Sequence, residues 1–239
     1  WRDANGKVNN MDALYRPYLF KDGQTQTALF FRDRNLSDHI GFKYARWNPI
    51  DAATDMIRRL EEIQYMLRGS KEPHVVSIIL DGENCWEHYE DDGVPFLREL
   101  YKRLSDHHNL KTTTPTTYLE QFDKHRTLKN LHSGSWINHD FSIWIGHAED
   151  NAAWDHLTQA RDELHEKING DQAKDIDIKA RDLAWKSLLI AEGSDWNWWY
   201  GDDHSSGIDD QFDALYRRHL INAYQALGVQ PPARLHIPI

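Results

Sequence analysis

The sequence predicts an α/β fold in its first half and a purely helical second half, and three observations carry that prediction. The run His-Val-Val-Ser-Ile-Ile-Leu (74–80) is rich in β-branched residues and breaks into Asp81, Gly82 and Glu83, which reads as a buried strand ending at a polar loop. Between Pro49 and Gly69, the residues Ala53, Met56, Ile57, Leu60, Ile63 and Leu67 recur at helical spacing, the mark of an amphipathic helix. From about residue 145 onward the apolar period is helical throughout.

In chain order, Thr-Ala-Leu-Phe-Phe-Arg-Asp (27–33) reads as a short buried strand ending in Arg32 and Asp33, followed by a polar turn. The helix of residues 49–69 then starts at a proline, which fits the first helical turn, and stops at a glycine. After the 74–80 strand comes a helix over 94–107 with Phe96, Leu97, Leu100 and Leu104 inward, and residues 110–122 read as a short strand leading into another helix. This alternation is the grammar of a parallel sheet or barrel. Strands near residues 28, 76 and 112 are expected to lie parallel, with Asp81 at their carboxyl edge. In the helical half, Ala153, Leu157, Ala160, Leu164 and Ile168 define one inward face; Leu183, Trp185, Leu188 and Leu189 define a second; Phe212, Leu215, Tyr216, Leu220, Ala223, Tyr224 and Leu227 define a third. Gly228 stops the last helix, and with Pro231 and Pro232 beyond it residues 231–239 read as a linker.

Composition narrows the function. Lys plus Arg total 28 against 38 Asp plus Glu, a net charge of -10, which repels a polyanion and argues against nucleic acid as a partner. Cys85 is the only cysteine of the 239 residues, so an internal disulfide and a cysteine metal cluster are excluded and a reducing, cytoplasmic compartment is expected. No apolar run approaches the roughly 18 residues of a membrane span, and no membrane partner or cofactor is expected. Ten tryptophans and ten tyrosines stand in a chain whose mean hydropathy is only -0.76. Flat apolar rings beside carboxylates suit carbohydrate, whose C–H faces stack and whose hydroxyls need acceptors.

Asp81 lies where parallel α/β folds build active sites, at the carboxyl end of a strand; the plainer reading is an acidic cap on a turn. Two further segments, 133–157 and 191–206, gather Trp136, Trp144, Trp154, Trp196, Trp198 and Trp199 among Asp140, Asp195, Asp202, Asp203 and His204. Helix packing accounts for Trp154. It does not account for three tryptophans in four residues beside Asp202-Asp203-His204.

Together with Leu-Tyr-Arg-Pro-Tyr-Leu-Phe (14–20) and residues 30–42, these segments resemble glycoside hydrolase family 57, enzymes of the α-amylase, amylopullulanase and glucanotransferase group. The resemblance implies the C-terminal part of an incomplete, seven-stranded β/α barrel over residues 1–140, a helical segment over 141–230 completing the cleft, and retaining action on α-glucans. It makes Asp81 the general acid/base, with Glu83, Arg32 and Asp33 in support. Trp86, Trp136, Trp144, Trp199, Asp203 and His204 are implied as substrate-binding, Trp136 and Trp144 as a stacking wall facing Asp81. Burial beside Trp86 and repulsion from Glu83 are expected to keep Asp81 protonated for the leaving oxygen.

The chain begins at Trp1 and reads as a piece of something longer. The family's nucleophilic glutamate lies upstream of the Tyr-Arg-Pro-Tyr region, so the resemblance implies that it is missing here and that the piece alone is inactive. The open barrel edge is then expected to be covered by the remainder of its own catalytic domain or by another chain, with residues 1–26 as local cover. One alternative is a non-catalytic α-glucan-binding relative, which the presence of Asp81 argues against. A metal-dependent polysaccharide deacetylase is another, in which Asp202, Asp203 and His204 would hold a cation; their adjacency in sequence argues against it, and metal content separates the two.

Overall fold

A computed structural model describes residues 10–82, 86–123, 125–170, 173 and 176–239. The chain divides into two compact units, Trp1–Leu131 and His132–Ile239. It is mixed α/β, mostly helical, with one small sheet of three strands among the described residues.

In the first unit, β1 (Tyr18–Asp22) and β2 (Thr25–Leu29) form an antiparallel hairpin, with Asp22 opposite Thr25. The two-residue connection follows Asp22 with Gly23, a turn signal that matches the right-handed twist of paired strands. β3 (Arg126–Leu128) adds to β1 in parallel, Tyr18 opposite Arg126. Helix α1 (Met11–Leu14) precedes the hairpin and α2 (Arg34–Asp38) follows it. Helix α3 (Pro49–Leu67) starts where the sequence demands, with Pro49 in the first turn and the Asn48 side chain accepting the Ile50 N–H at 2.9 Å. It buries Ala52, Ala53, Met56, Ile57, Leu60 and Ile63, against α4 (Val94–Asp106), which contributes Phe96 and Leu100.

The parallel sheet expected through residues near 28, 76 and 112 does not form among the described residues. β2 near residue 28 pairs antiparallel with β1, and residues 110–114 form no strand but run into α5 (Pro115–Gln121), whose cap is Thr114. The 74–80 run makes one parallel bridge, Ser77 to Arg32. It is half-buried, with Ile79 exposed. The bridge rests on the Asp33 N–H donating to the Ser77 carbonyl at 2.8 Å and does not extend, because on either side of it the Val75 N–H donates to the Tyr15 carbonyl at 3.0 Å and the Ile79 N–H to Ser37 Oγ at 3.1 Å.

The second unit is helical where described: α6 (Ala148–Asn169), α7 (Ile178–Ala191), α8 (Asp195–Trp199) and α9 (Asp209–Ala226). Its core takes Ala153, Leu157, Ala160, Leu164 and Ile168 from α6, the face that the spacing predicts. On α7 the buried residues are Ala184, Ser187, Leu188 and Ala191, whereas Leu183 and Leu189 are exposed. Small residues there let α7 lie close against α9. Leu215 of α9 is likewise exposed. Residues 231–239, read as a linker, fold back: Leu235 is completely buried in this core, and its carbonyl accepts from Arg217 Nη1 at 3.1 Å.

Candidate functional site

In the first unit Arg32 and Asp33, two of the residues predicted in support of Asp81, both bond to the 75–79 segment. Asp33 is buried as the cap of α2: one carboxylate oxygen accepts the Leu36 N–H at 2.9 Å and the other accepts the Tyr15 hydroxyl at 2.5 Å. That carboxylate and burial together push the Tyr15 hydroxyl well above the usual tyrosine range, burial being the larger cause. Arg32 donates through Nε to the Ile79 carbonyl at 2.9 Å and through Nη2 to Asp38 at 2.9 Å. Ser37, fully buried, donates to the Asp33 carbonyl at 2.7 Å while accepting from Ile79. Residues 75, 77 and 79 are thus pinned in turn, and the next residue in that alternation is Asp81. Arg32 and Asp33 act on the backbone that carries Asp81, and Ser37 joins them, a residue whose single hydroxyl within an ordinary helix start left no sequence signal.

Asp81 itself is exposed, so the burial expected for it is not provided by this unit. Trp86 is half-buried and packs on Tyr89, ring centroids 5.4 Å apart, at the margin of the core. Glu83 lies outside the described residues. A cleft of about 530 Å³ in this unit is lined by Arg16, Glu72, Tyr118 and Arg126 among others, and by none of the predicted site residues.

In the second unit the aromatic segments sort themselves. Trp144 and Trp198 lie 5.6 Å apart, and the Trp198 ring stacks on His204 at 3.8 Å and 13°. The Trp144 carbonyl accepts from Trp154 Nε1 at 2.8 Å and from Asn197 Nδ2 at 3.0 Å, which fixes the loop it stands on. Trp199 stacks on Phe212 of α9, and Trp196 packs on Phe212, Tyr216 and His219 against the helical core. Trp136 is 61% exposed, outside that cluster.

A second group joins the predicted Asp203 to His147 and Asp150, two residues that the sequence reading missed. His147 precedes α6 and its Nδ1 lies 3.1 Å from Asp150 Oδ2; its Nε2 lies 3.8 Å from Asp203 Oδ2. Asp150 is fully buried, in the first turn of α6, where a carboxylate is favoured by the helix dipole. Burial pushes its carboxyl up, and its Oδ1 has no hydrogen-bond partner among the described residues. The hydrogen bond to Asp150, with the nearby charges of Asp203 and Asp202, pushes the His147 imidazole above the usual histidine value. Gly201 has φ +80° and its backbone lies against the imidazole: a Cβ there would stand 2.5 Å from the ring. The Gly201 N–H donates to Glu149 at 2.7 Å. A His-x-x-Asp pair at the start of a helix, next in line to the tryptophan loop, was the available signal. Among the described residues no three His, Cys, Asp or Glu side chains are grouped so as to hold a metal ion, and no helix is long and apolar enough to cross a membrane.

The family model described as glycosyl hydrolase family 57 matches residues 3–130, just over half of the 239-residue chain. No curated protein matches the sequence. Among solved structures, a family 57 branching enzyme from Thermococcus kodakaraensis, determined with glucose and additives, is similar at 17% identity and a TM-score of 0.68, over 89% of this chain and 46% of that one. The branching enzyme of Pyrococcus horikoshii is similar at 17% identity and 0.65, over 98% and 50%. The α-amylase AmyC of Thermotoga maritima is similar at 14% and 0.57, over 93% and 53%. At such identities the likeness is one of fold, and the chain spans about half the length of each of these proteins.

Proposed function

Because the chain belongs to glycosyl hydrolase family 57, we propose that it is part of a retaining enzyme acting on α-glucans, with Asp81 as its general acid/base. The observation that carries this reading is the position of Asp81, next in the alternation after the pinned residues 75, 77 and 79 and inside the matched stretch. A carboxyl that must first protonate a leaving oxygen and then activate water needs a fixed backbone and an accessible side chain. Similarity to branching enzymes and an α-amylase supports α-glucan as the substrate class.

In this reading the small sheet and the 75–81 segment belong to an incomplete β/α barrel. Retention requires a second carboxyl about 5–5.5 Å from the first; the remainder of the enzyme supplies it, and this chain alone does not turn over substrate. Trp144 and Trp198 offer apolar faces to pyranose rings, with Asp203 accepting hydroxyls beside them. In the complete enzyme, Asp81→Asn lowers turnover of maltooligosaccharides at least about 100-fold, the usual worth of general acid catalysis, with an unchanged melting temperature. Near-normal turnover in that variant would remove Asp81 from the chemistry.

A further inference from the structure

His147 and Asp203 present complementary groups that do not satisfy each other. Their 3.8 Å separation exceeds hydrogen-bond reach, and both are partly exposed, His147 at 33% and Asp203 at 43% of the side chain. The other face of the imidazole is closed: Gly201 covers it, and Nδ1 is committed to Asp150. Ionised Asp150 can only accept, so Nδ1 must carry a hydrogen whatever the state of the ring. The neutral imidazole therefore has a bare Nε2, an acceptor facing the acceptor Asp203. Only the imidazolium puts a donor at Nε2. His204, next in the chain after Asp203, carries its ring stacked on Trp198.

We propose that His147 is a sugar-contacting residue, clasping a glucan hydroxyl jointly with Asp203: Nε2–H donates to the hydroxyl oxygen, Asp203 accepts its hydrogen, and the contact is lost when Nε2 is bare. This rests on the glucan-binding reading of the second unit. The charged groups acting on the imidazole are Asp150 from the start of α6 and Asp202 and Asp203 from the loop before α9. All are acidic, and all favour the imidazolium. The donor is therefore present below a midpoint that lies above the ordinary histidine value of about 6.5 and is lost as pH rises through it.

The probe is maltoheptaose, titrated into the full 239-residue chain by calorimetry between pH 6 and 9, with the His147 ring hydrogens followed by NMR and assigned through His147→Gln. Affinity falls roughly tenfold over that range, as expected for loss of a charged donor, with the midpoint of the ring titration. In His147→Gln, whose amide does not titrate, the fall disappears. In Asp203→Asn, which preserves shape, the ring midpoint moves down. Affinity that is flat with pH in the wild type, or a slope that survives His147→Gln, or an unmoved midpoint in Asp203→Asn, would overturn the assignment while leaving glucan binding intact. Absence of maltoheptaose binding at every pH would overturn both it and the glucan reading of this unit.

Discussion

Replacing Gly201 by alanine probes the second unit at its tightest point. Two separate costs follow from its geometry. At φ +80° a side chain pays the left-handed penalty of about 1–2 kcal/mol. The new Cβ would also stand 2.5 Å from the His147 ring and 3.0 Å from its Cβ, forcing the imidazole off Asp150 and losing a hydrogen bond to a charged group, about 1.5–3 kcal/mol. A loss of about 2.5–5 kcal/mol lowers the melting temperature of a unit of this size by roughly 10–20 °C or more. Gly207→Ala supplies the control, since Gly207 has φ +77° but nothing within 4 Å of its would-be Cβ; only the backbone cost applies there. Near-UV circular dichroism follows the unit selectively, because seven of the ten tryptophans lie beyond residue 131. Equal shifts in the two variants would refute the claim that Gly201 exists to admit His147.

Leu164→Ala, at a fully buried position of α6, costs about 2–5 kcal/mol in urea unfolding, whereas Leu183→Ala on exposed α7 surface changes stability by less than about 0.5 kcal/mol. Removing residues 231–239, and with them buried Leu235, lowers the melting temperature of the second unit, which a true linker would not do. Asp12 is held well below the usual carboxylate range, chiefly by its hydrogen bond to Arg16, with His74 and Arg126 adding to it. Because the folded value is depressed, this stabilisation is present above about pH 4 and is lost as pH falls below it. Asp12→Asn therefore destabilises the first unit at pH 7, and a stability–pH series shows the gap closing only in acid. Ser37→Ala removes the acceptor for the Ile79 N–H and lowers turnover of the complete enzyme with little change in KM, the split expected when only the placement of Asp81 suffers.

Helix faces were legible where apolar residues fall on one side only. The α6 face could be read outright because its five buried apolar residues stand out against a polar background. α7 carries Ile178, Leu183, Trp185, Leu188, Leu189 and Ile190, which surround the helix, so periodicity alone does not choose a face; the small Ala184 and Ser187 won because they admit α9. Tryptophan density marked the 191–206 segment as a cluster of rings, but not which ring goes where. Trp198 faces His204 and Trp199 faces Phe212 because adjacent residues on a helix point about 100° apart.

By itself the sequence determined the α/β character of the first half, the helical second half, the faces of α3 and α6, and the family that residues 3–130, Asp81 among them, match. Those features are written in neighbours a turn or two apart, where propensity and period act directly. Only the tertiary structure decided that residues 75–79 are held by Tyr15, Asp33 and Ser37, with a single parallel bridge to Arg32 in place of a continuous sheet, and that His147 meets Asp203 from 56 positions away. Such pairings follow from which buried donors and acceptors remain to be satisfied once the helices have packed, a condition on the whole unit that no local stretch contains.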